Sequence, residues 1–286
     1  MKKKQFFCNF DRGKANVPRE KTLQIAVRSK SFSSPQEYRD FLTKLQISSR
    51  FEMRYRGLFE FYGDDLIAYS LKNSSDKNSN EFLRIFSSYL TDYLEDRCPS
   101  SWKQCHPPFW EELMLTYYPH CMKLTTYEKE VDNFSLQLKQ FVLWLDKRVD
   151  TSWYNVICQY ADEFLPDLRA CEHLLNSLYL NDFPNLHHDD FIPEQEIGKF
   201  SQNIDKYTER VASLFQVIRV IENITLAVDL HSGQTYSIQG LPAKNIVPGM
   251  LMYGDIGKNI REKFWHWYCT EGVYPQNARK YFTFAD

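Results

Sequence analysis

Apolar residues recur at helical spacing along most of the chain between residues 35 and 214. Ser34, Pro35 and Glu37 form a helix start, with a capping hydroxyl, a proline at the first helical position and an acid at the third. The segment that follows is apolar on one face at Tyr38, Phe41, Leu42 and Leu45. This pattern predicts a helix over 35–48. The same periodicity predicts helices around 82–90, 109–117, 125–145, 152–178 and 193–214.

Other stretches alternate apolar and polar residues with a period of two, which is typical of half-buried strands. Near the N-terminus, this pattern predicts strands at 22–28 and 51–56. The apolar runs 58–62 and 66–71 flank Gly63-Asp64-Asp65, which predicts a hairpin.

After residue 214 the period changes from 3.6 to 2. Short β-rich runs at 217–221, 224–229, 235–238 and 250–253, with a turn at 231–234, predict a small, bent antiparallel sheet or barrel. Ile260, Phe264, Trp267 and Tyr268 then predict a closing helix.

The predicted fold class is therefore helix-rich α+β. The polar tract at 73–80 is the strongest candidate for a linker. It separates a small α/β module (1–72) from a helical domain (81–214), and residues 215–286 form the β element with its closing helix.

Composition narrows the class of protein. The 286 residues are 43% hydrophobic and 16% aromatic, so the chain can bury a sizeable core, and a homo-oligomer would also suit this aromatic content. Only 10 residues are glycine, and no glycine-rich phosphate loop or dinucleotide motif is present, so no cofactor is indicated. No apolar run reaches the roughly 18–20 residues that span a bilayer. Seven cysteines without paired spacing indicate reduced thiols in a cytoplasmic protein.

Charge divides the chain. Residues 1–56 carry 14 Lys and Arg against 5 Asp and Glu, a net of +9, whereas the other 230 residues carry 21 against 32, a net of −11. Such a split indicates a surface for an anionic partner, or a basic segment that packs on the acidic body of its own chain.

The leading hypothesis is a non-enzymatic binding or regulatory protein. Its basic N-terminal module would engage nucleic acid or an acidic protein surface, because anionic partners need dispersed cations. The candidate binding residues are Lys14, Arg28, Lys30, Arg50, Arg54 and Arg56.

The alternative hypothesis is a metal-dependent phosphoester hydrolase or nuclease. Its candidate ligands are the adjacent residues His187, His188, Asp189 and Asp190. The His-Asp pair resembles the dyad of one family of metal phosphohydrolases, and that resemblance implies a bound divalent metal. The structural interpretation is a loop that leads into the next helix, where an acidic residue interacts favourably with the helix dipole.

Zinc-type ligands also cluster in one part of the chain, at Cys98, Cys105, His106, His120 and Cys121. Zinc sites usually contain tight Cys-x2–4-Cys knuckles, and this spacing matches none of them. Pro107, Pro108 and Pro119 favour a rigid loop over a zinc site.

Overall fold

A computed structural model describes residues 31–188, 191–192 and 206–283. Within these ranges, seven α-helices precede one five-stranded sheet, which confirms the α+β class. The helices are α1 Pro35–Ser48, α2 Gly63–Lys72, α3 Lys77–Ser88, α4 Pro107–Glu112, α5 Tyr118–Cys121, α6 Glu130–Val149 and α7 Tyr154–Asp182. A π-helical turn extends α3 through Tyr93, and another joins α4 to α5.

Helix α1 has the predicted bounds. The Ser34 hydroxyl accepts a hydrogen bond from the Glu37 N–H at 3.2 Å, and the Glu37 carboxylate in turn accepts from Ser33. The predicted strand at 51–56 is wrong. Glu52 adopts a left-handed φ of 56°, and the Met53 N–H bonds back to the Ser48 carbonyl, so the chain turns here. The alternating pattern in this stretch reflected the burial of individual side chains in a turn.

The predicted hairpin around Gly63 is also wrong, because Gly63 begins α2. Asp64 and Asp65 lie in the first helical turn, where the helix dipole stabilises a negative charge. A Cβ atom on Gly63 would collide with the Gly57 carbonyl oxygen, so only glycine permits this close approach. Residues 31–72 therefore consist of helices and turns without a strand, and the predicted strand at 22–28 lies outside the described residues.

Helices α3 to α7 confirm the helical prediction for residues 82–178. The polar tract at 73–80 supplies a turn, the Asp76 cap of α3 and the first turn of that helix. Helix α7 continues through Pro166, and its buried Glu172 carboxylate accepts the N–H groups of Glu130 and Val131 at 2.8 and 3.4 Å. One helix is thereby capped by a side chain of its neighbour. The proposed division of the chain into three domains stays a prediction.

The C-terminal sheet closes into a barrel with the strand order β1-β2-β3-β5-β4. The strands are β1 Glu209–Ile221, β2 Ile224–Asp229, β3 Thr235–Gln239, β4 Leu251–Lys258 and β5 Trp265–Tyr274. The long β1 pairs with both β2 and β4, and β3 runs parallel to β5, so the sheet is mixed rather than antiparallel. Five strands closed in this order form a barrel of the OB type.

Two helix predictions fail at the barrel. Residues 209–214, the end of the predicted 193–214 helix, form the start of β1, and residues 193–205 lie outside the described residues. The predicted closing helix is replaced by a turn and strand β5. Trp267 points into the barrel whereas Tyr268 is half-exposed, so the aromatic residues that suggested a helical stripe lie on different faces.

The helices and the barrel share one continuous hydrophobic core. The Tyr179 hydroxyl of α7 donates to the Thr270 carbonyl at 3.0 Å, and the Asn245 amide donates to Ser177 Oγ at 2.6 Å. The Tyr274 hydroxyl is fully buried, 3.4 Å from His120 Nδ1. The barrel is thus held by apolar packing and by specific polar contacts.

Candidate binding face at the N-terminal helix

Helix α1 presents an apolar stripe to solvent. Tyr38, Leu42 and Leu45 are 49%, 43% and 36% exposed. They lie four and then three positions apart, so they occupy one face of the helix. Phe41, three residues after Tyr38 and four before Leu45, lies at the edge of the same stripe and is buried, as is Ile47. The apolar arc of α1 is therefore covered at one edge and exposed over the rest.

Aromatic residues extend this stripe beyond the helix. Tyr55, which is 46% exposed, packs edge-on against Phe41 and Phe59, with ring centroids 6.0 and 5.2 Å apart. Phe32 packs edge-on against Tyr38 and at a tilt against Phe41. The exposed tyrosines are thus held in place by rings beneath or beside them, which limits the side-chain entropy lost when a partner binds.

Three arginines belong to the same part of the chain. Arg39, next to Tyr38 on α1, is exposed, Arg50 is exposed in the 3-10 turn Ser49–Phe51 that follows α1, and Arg56 is half-exposed in the 3-10 turn Tyr55–Phe59. Within the described parts of the chain, none of the three forms an ion pair. We call Tyr38, Leu42, Leu45, Tyr55, Arg39, Arg50 and Arg56 the α1 face.

Other cations of the same segment are used internally. Lys44 pairs with Asp64 at 2.6 Å, and Arg54 pairs with Asp92 at 2.9 Å. Both pairs join the basic segment to the acidic helices, as the alternative interpretation of the charge split expects. They are exposed at the surface, where each pair contributes little to stability.

The predicted binding residues therefore have different outcomes. Arg50 and Arg56 lie on the α1 face, Arg54 is paired with Asp92, and Lys14, Arg28 and Lys30 lie outside the described residues. Arg39 and the exposed stripe were not in the predicted site. The signal was present in the sequence: apolar residues cover a wider arc of α1 than one buried face requires.

The described residues also refine the charge split. Residues 31–188 carry 16 Lys and Arg against 23 Asp and Glu, a net of −7, whereas residues 206–283 carry 9 against 6, a net of +3. The barrel is thus not part of the acidic body. OB-type barrels bind oligonucleotides and oligosaccharides through the face of their second and third strands and through the loops that join strands 1 and 2 and strands 4 and 5. Here residues 224–239 contain no Lys or Arg, whereas the loop between β4 and β5 carries Arg261 and Lys263.

The candidate metal ligands are not shown together. Asp189 and Asp190 lie outside the described residues, His188 is exposed, and His187 is half-buried. In the part of the chain that the structure covers, no three His, Cys, Asp or Glu side chains are grouped so that they could hold a metal ion.

The zinc-type cluster does not converge on a metal either, since its members are spread over the segment that contains α4 and α5. Burial raises the pKa of Cys98 and of Cys121 to about 11 each, and it raises that of Cys105 further. Cys105 belongs to the hydrophobic core, and Cys98 and Cys121 pack against it.

A small, shallow cleft lies between α3, α5 and α6, and its lining includes Glu81, Tyr118 and Glu130. Arg84, at 2.8 Å, and Lys123 pair with Glu81. Despite burial, these cations hold the pKa of Glu81 below its usual value. A carboxylate neutralised in this way is a structural ion pair rather than a catalytic acid.

The fold and its surfaces define an α+β protein in which an acidic helical body carries a closed β-barrel and an exposed apolar and basic face. None of the described helices is long and apolar enough to cross a membrane. Comparison with known protein families, with curated proteins and with solved structures found no significant match.

Proposed function

We propose that this protein is a non-enzymatic binding or regulatory protein that engages an anionic partner through its basic N-terminal segment. The α1 face is the described part of that binding surface. Lys14, Arg28 and Lys30 would add to its positive charge.

One observation carries the proposal: Arg39, Arg50 and Arg56 stand beside exposed apolar side chains on a body that is otherwise acidic. Lys44 and Arg54, in the same segment, pair with carboxylates of the acidic helices. The three arginines have no such partner among the described residues. Cations that a protein leaves unpaired beside an acidic surface are available to an outside anion, whose approach they also accelerate.

Salt-dependent binding tests this proposal. The full chain is titrated against fluorescein-labelled poly-glutamate and against a single-stranded oligonucleotide, and anisotropy is followed between about 50 and 200 mM salt. We expect binding to at least one probe that weakens steeply as salt is added. The double variant Arg50→Glu/Arg56→Glu should lower that affinity at least about tenfold.

The matched control is Arg219→Glu/Arg261→Glu, which reverses two exposed arginines of the barrel and changes the net charge equally. We expect this control to retain affinity within about threefold, because only long-range attraction is lost. Equal losses in both double variants would show that the net charge, and not the α1 face, determines binding. No salt-sensitive binding to either probe would refute the proposal.

The alternative, a metal-dependent phosphoester hydrolase, is supported by one observation: the buried Nε2 atom of His187 has no hydrogen-bond partner among the described residues. Elemental analysis of the purified protein and a phosphodiesterase assay with added manganese separate the two functions. The binding proposal expects no stoichiometric metal and no activity. Metal-dependent turnover that His187→Ala abolishes would establish the hydrolase instead.

A further inference from the structure

The α1 face combines cations with exposed aliphatic and aromatic side chains, and classes of partner differ in which of these they can contact. A nucleic acid offers phosphates, which contact cations, and bases, which stack on aromatic rings. Leu42 and Leu45 give such a ligand neither of these contacts. An exposed aliphatic stripe gains stability only when it is covered by apolar side chains.

We infer that the anionic partner is a protein segment: an amphipathic helix with an apolar stripe flanked by Asp or Glu. This inference rests on the proposed function and names the class of its partner. The apolar stripe of the partner would cover Tyr38, Leu42 and Leu45. Its acidic flank would meet Arg39, on α1 beside Tyr38, and Arg50, in the turn that follows α1. Docking of amphipathic helices through anchors at helical spacing is a general mode of peptide recognition.

The dimensions of α1 set the size of this partner. Helix α1 has 14 residues, so it is about 21 Å long, and the stripe occupies about two of its turns. A partner helix of three to four turns is long enough to cover it. Tyr55, beyond the side of the helix, widens the apolar area, and Arg56 next to it offers a further contact for an acidic residue.

Charge disfavours a second copy of this chain as the occupant. If two α1 faces packed together, Arg39 and Arg50 of each copy would approach the same arginines of the other. Like charges at an interface oppose association, whereas an acidic flank complements them. The charge of the α1 face thus favours a partner of opposite sign.

The test compares peptides of equal charge. The full chain is titrated against a labelled 16-residue peptide that places Leu on one helical face and Glu on its flanks. It is also titrated against a scrambled peptide of the same composition and against poly-glutamate. We expect the amphipathic peptide to bind at least about tenfold more tightly than the other two, since it alone covers apolar area.

Two leucine variants separate the α1 face from general surface hydrophobicity. Leu42→Ser/Leu45→Ser should weaken binding of the amphipathic peptide about tenfold or more and leave poly-glutamate binding within about twofold. The matched control is Leu136→Ser/Leu143→Ser on α6, where the two leucines are 53% and 40% exposed. It should change neither affinity. Thermal melts and sedimentation of the free variants accompany the titrations.

Each contrary result has a defined meaning. The inference fails, while the proposed function stands, if Leu42→Ser/Leu45→Ser keeps its affinity for the amphipathic peptide. The same holds if an oligonucleotide binds as tightly as that peptide and the leucine variant does not weaken its binding. If that variant converts a dimer to a monomer, or melts far below the α6 control, the stripe is covered by a second copy or by the chain itself. Either result overturns the inference. Absence of salt-sensitive binding to every probe overturns the inference and the proposed function together.

Discussion

Tyrosine and charged side chains are buried or paired at the helix–barrel interface, whereas those of the α1 face are exposed. At the interface, Tyr274 is fully buried and its hydroxyl faces His120, while Lys280 pairs with Glu111 at 2.5 Å. On the α1 face, Tyr38 and Tyr55 are about half-exposed, and the adjacent arginines have no ion-pair partner among the described residues. The first surface has its partner within the chain, and the second has none among the described residues.

This difference separates side chains that have partners within the fold from side chains that are exposed on its surface. Tyrosine and charged side chains that are satisfied within the fold contribute to its stability. The same side chains left exposed contribute little to folding, and their free energy becomes available when a partner covers them. Substitutions at the two surfaces should therefore divide cleanly between loss of stability and loss of binding.

The largest effect is expected at the interface. Tyr274→Ala removes a fully buried aromatic side chain and should lower the free energy of unfolding by about 3–5 kcal/mol. Tyr55→Ala on the α1 face is the matched control and should cost less than about 1 kcal/mol. Urea unfolding of both variants measures the contrast. Similar losses in the two variants would contradict the distinction between the surfaces.

A smaller loss is expected where a buried carboxylate caps a helix. Glu172→Ala leaves the N–H groups of Glu130 and Val131 without their acceptor and should cost about 2–3 kcal/mol. Glu172→Gln retains one acceptor oxygen and should cost less. The free energy of unfolding is measured by denaturant titration. A neutral Glu172→Ala variant would show that the cap contributes nothing.

A pH-dependent effect is expected at the end of α7. Burial raises the pKa of Asp182 to about 7, whereas an Asp in the unfolded chain titrates near 3.9. The folded chain therefore holds this proton more tightly, so stability falls as the pH rises from about 4 to 7.

Asp182→Asn should remove that dependence. The variant should match the wild type at pH 4 and exceed its stability by about 1–2 kcal/mol at pH 8, after allowance for partial exposure. The exposed Asp96→Asn variant is the control. Thermal melts across this pH range provide the measurement, and parallel curves for wild type and Asp182→Asn would refute the assignment.

The smallest effect is expected for the surface ion pairs. Arg54→Ala removes the exposed pair with Asp92 and should change the free energy of unfolding by less than about 0.5 kcal/mol. Lys44→Ala should behave in the same way. A loss above about 2 kcal/mol in either variant, measured in urea, would show that the basic segment is anchored to the acidic body more firmly than the exposed ion pairs suggest.

Much of the fold follows from local chemistry. The Ser34–Glu37 start and the runs around 217–229 predicted α1 and the first two barrel strands, because capping and β-branched residues act over a few positions. The turn after Phe51 and strand β5 were missed. A left-handed residue at Glu52 and the pairing of β5 with β3 and β4 depend on contacts that spacing along the chain does not encode.

The candidate site was predicted only in part. Its charge was visible in the sequence, since Arg50 and Arg56 stand in the basic segment. Its apolar half was not, because Tyr38, Leu42 and Leu45 have the spacing of a core-facing stripe. Whether such a stripe is buried depends on whether another element packs over it, and here only Phe41, at its edge, is buried.

Hydrogen exchange of the full chain with and without the amphipathic acidic peptide tests the central claim most directly. Exchange of backbone amides reports the residues that a partner covers or stabilises. We predict that added protection is concentrated in residues 35–59, which contain α1 and Tyr55, and that Leu42→Ser/Leu45→Ser abolishes it. Protection confined to the barrel strands between residues 209 and 274, or equal protection in that leucine variant, would contradict the claim.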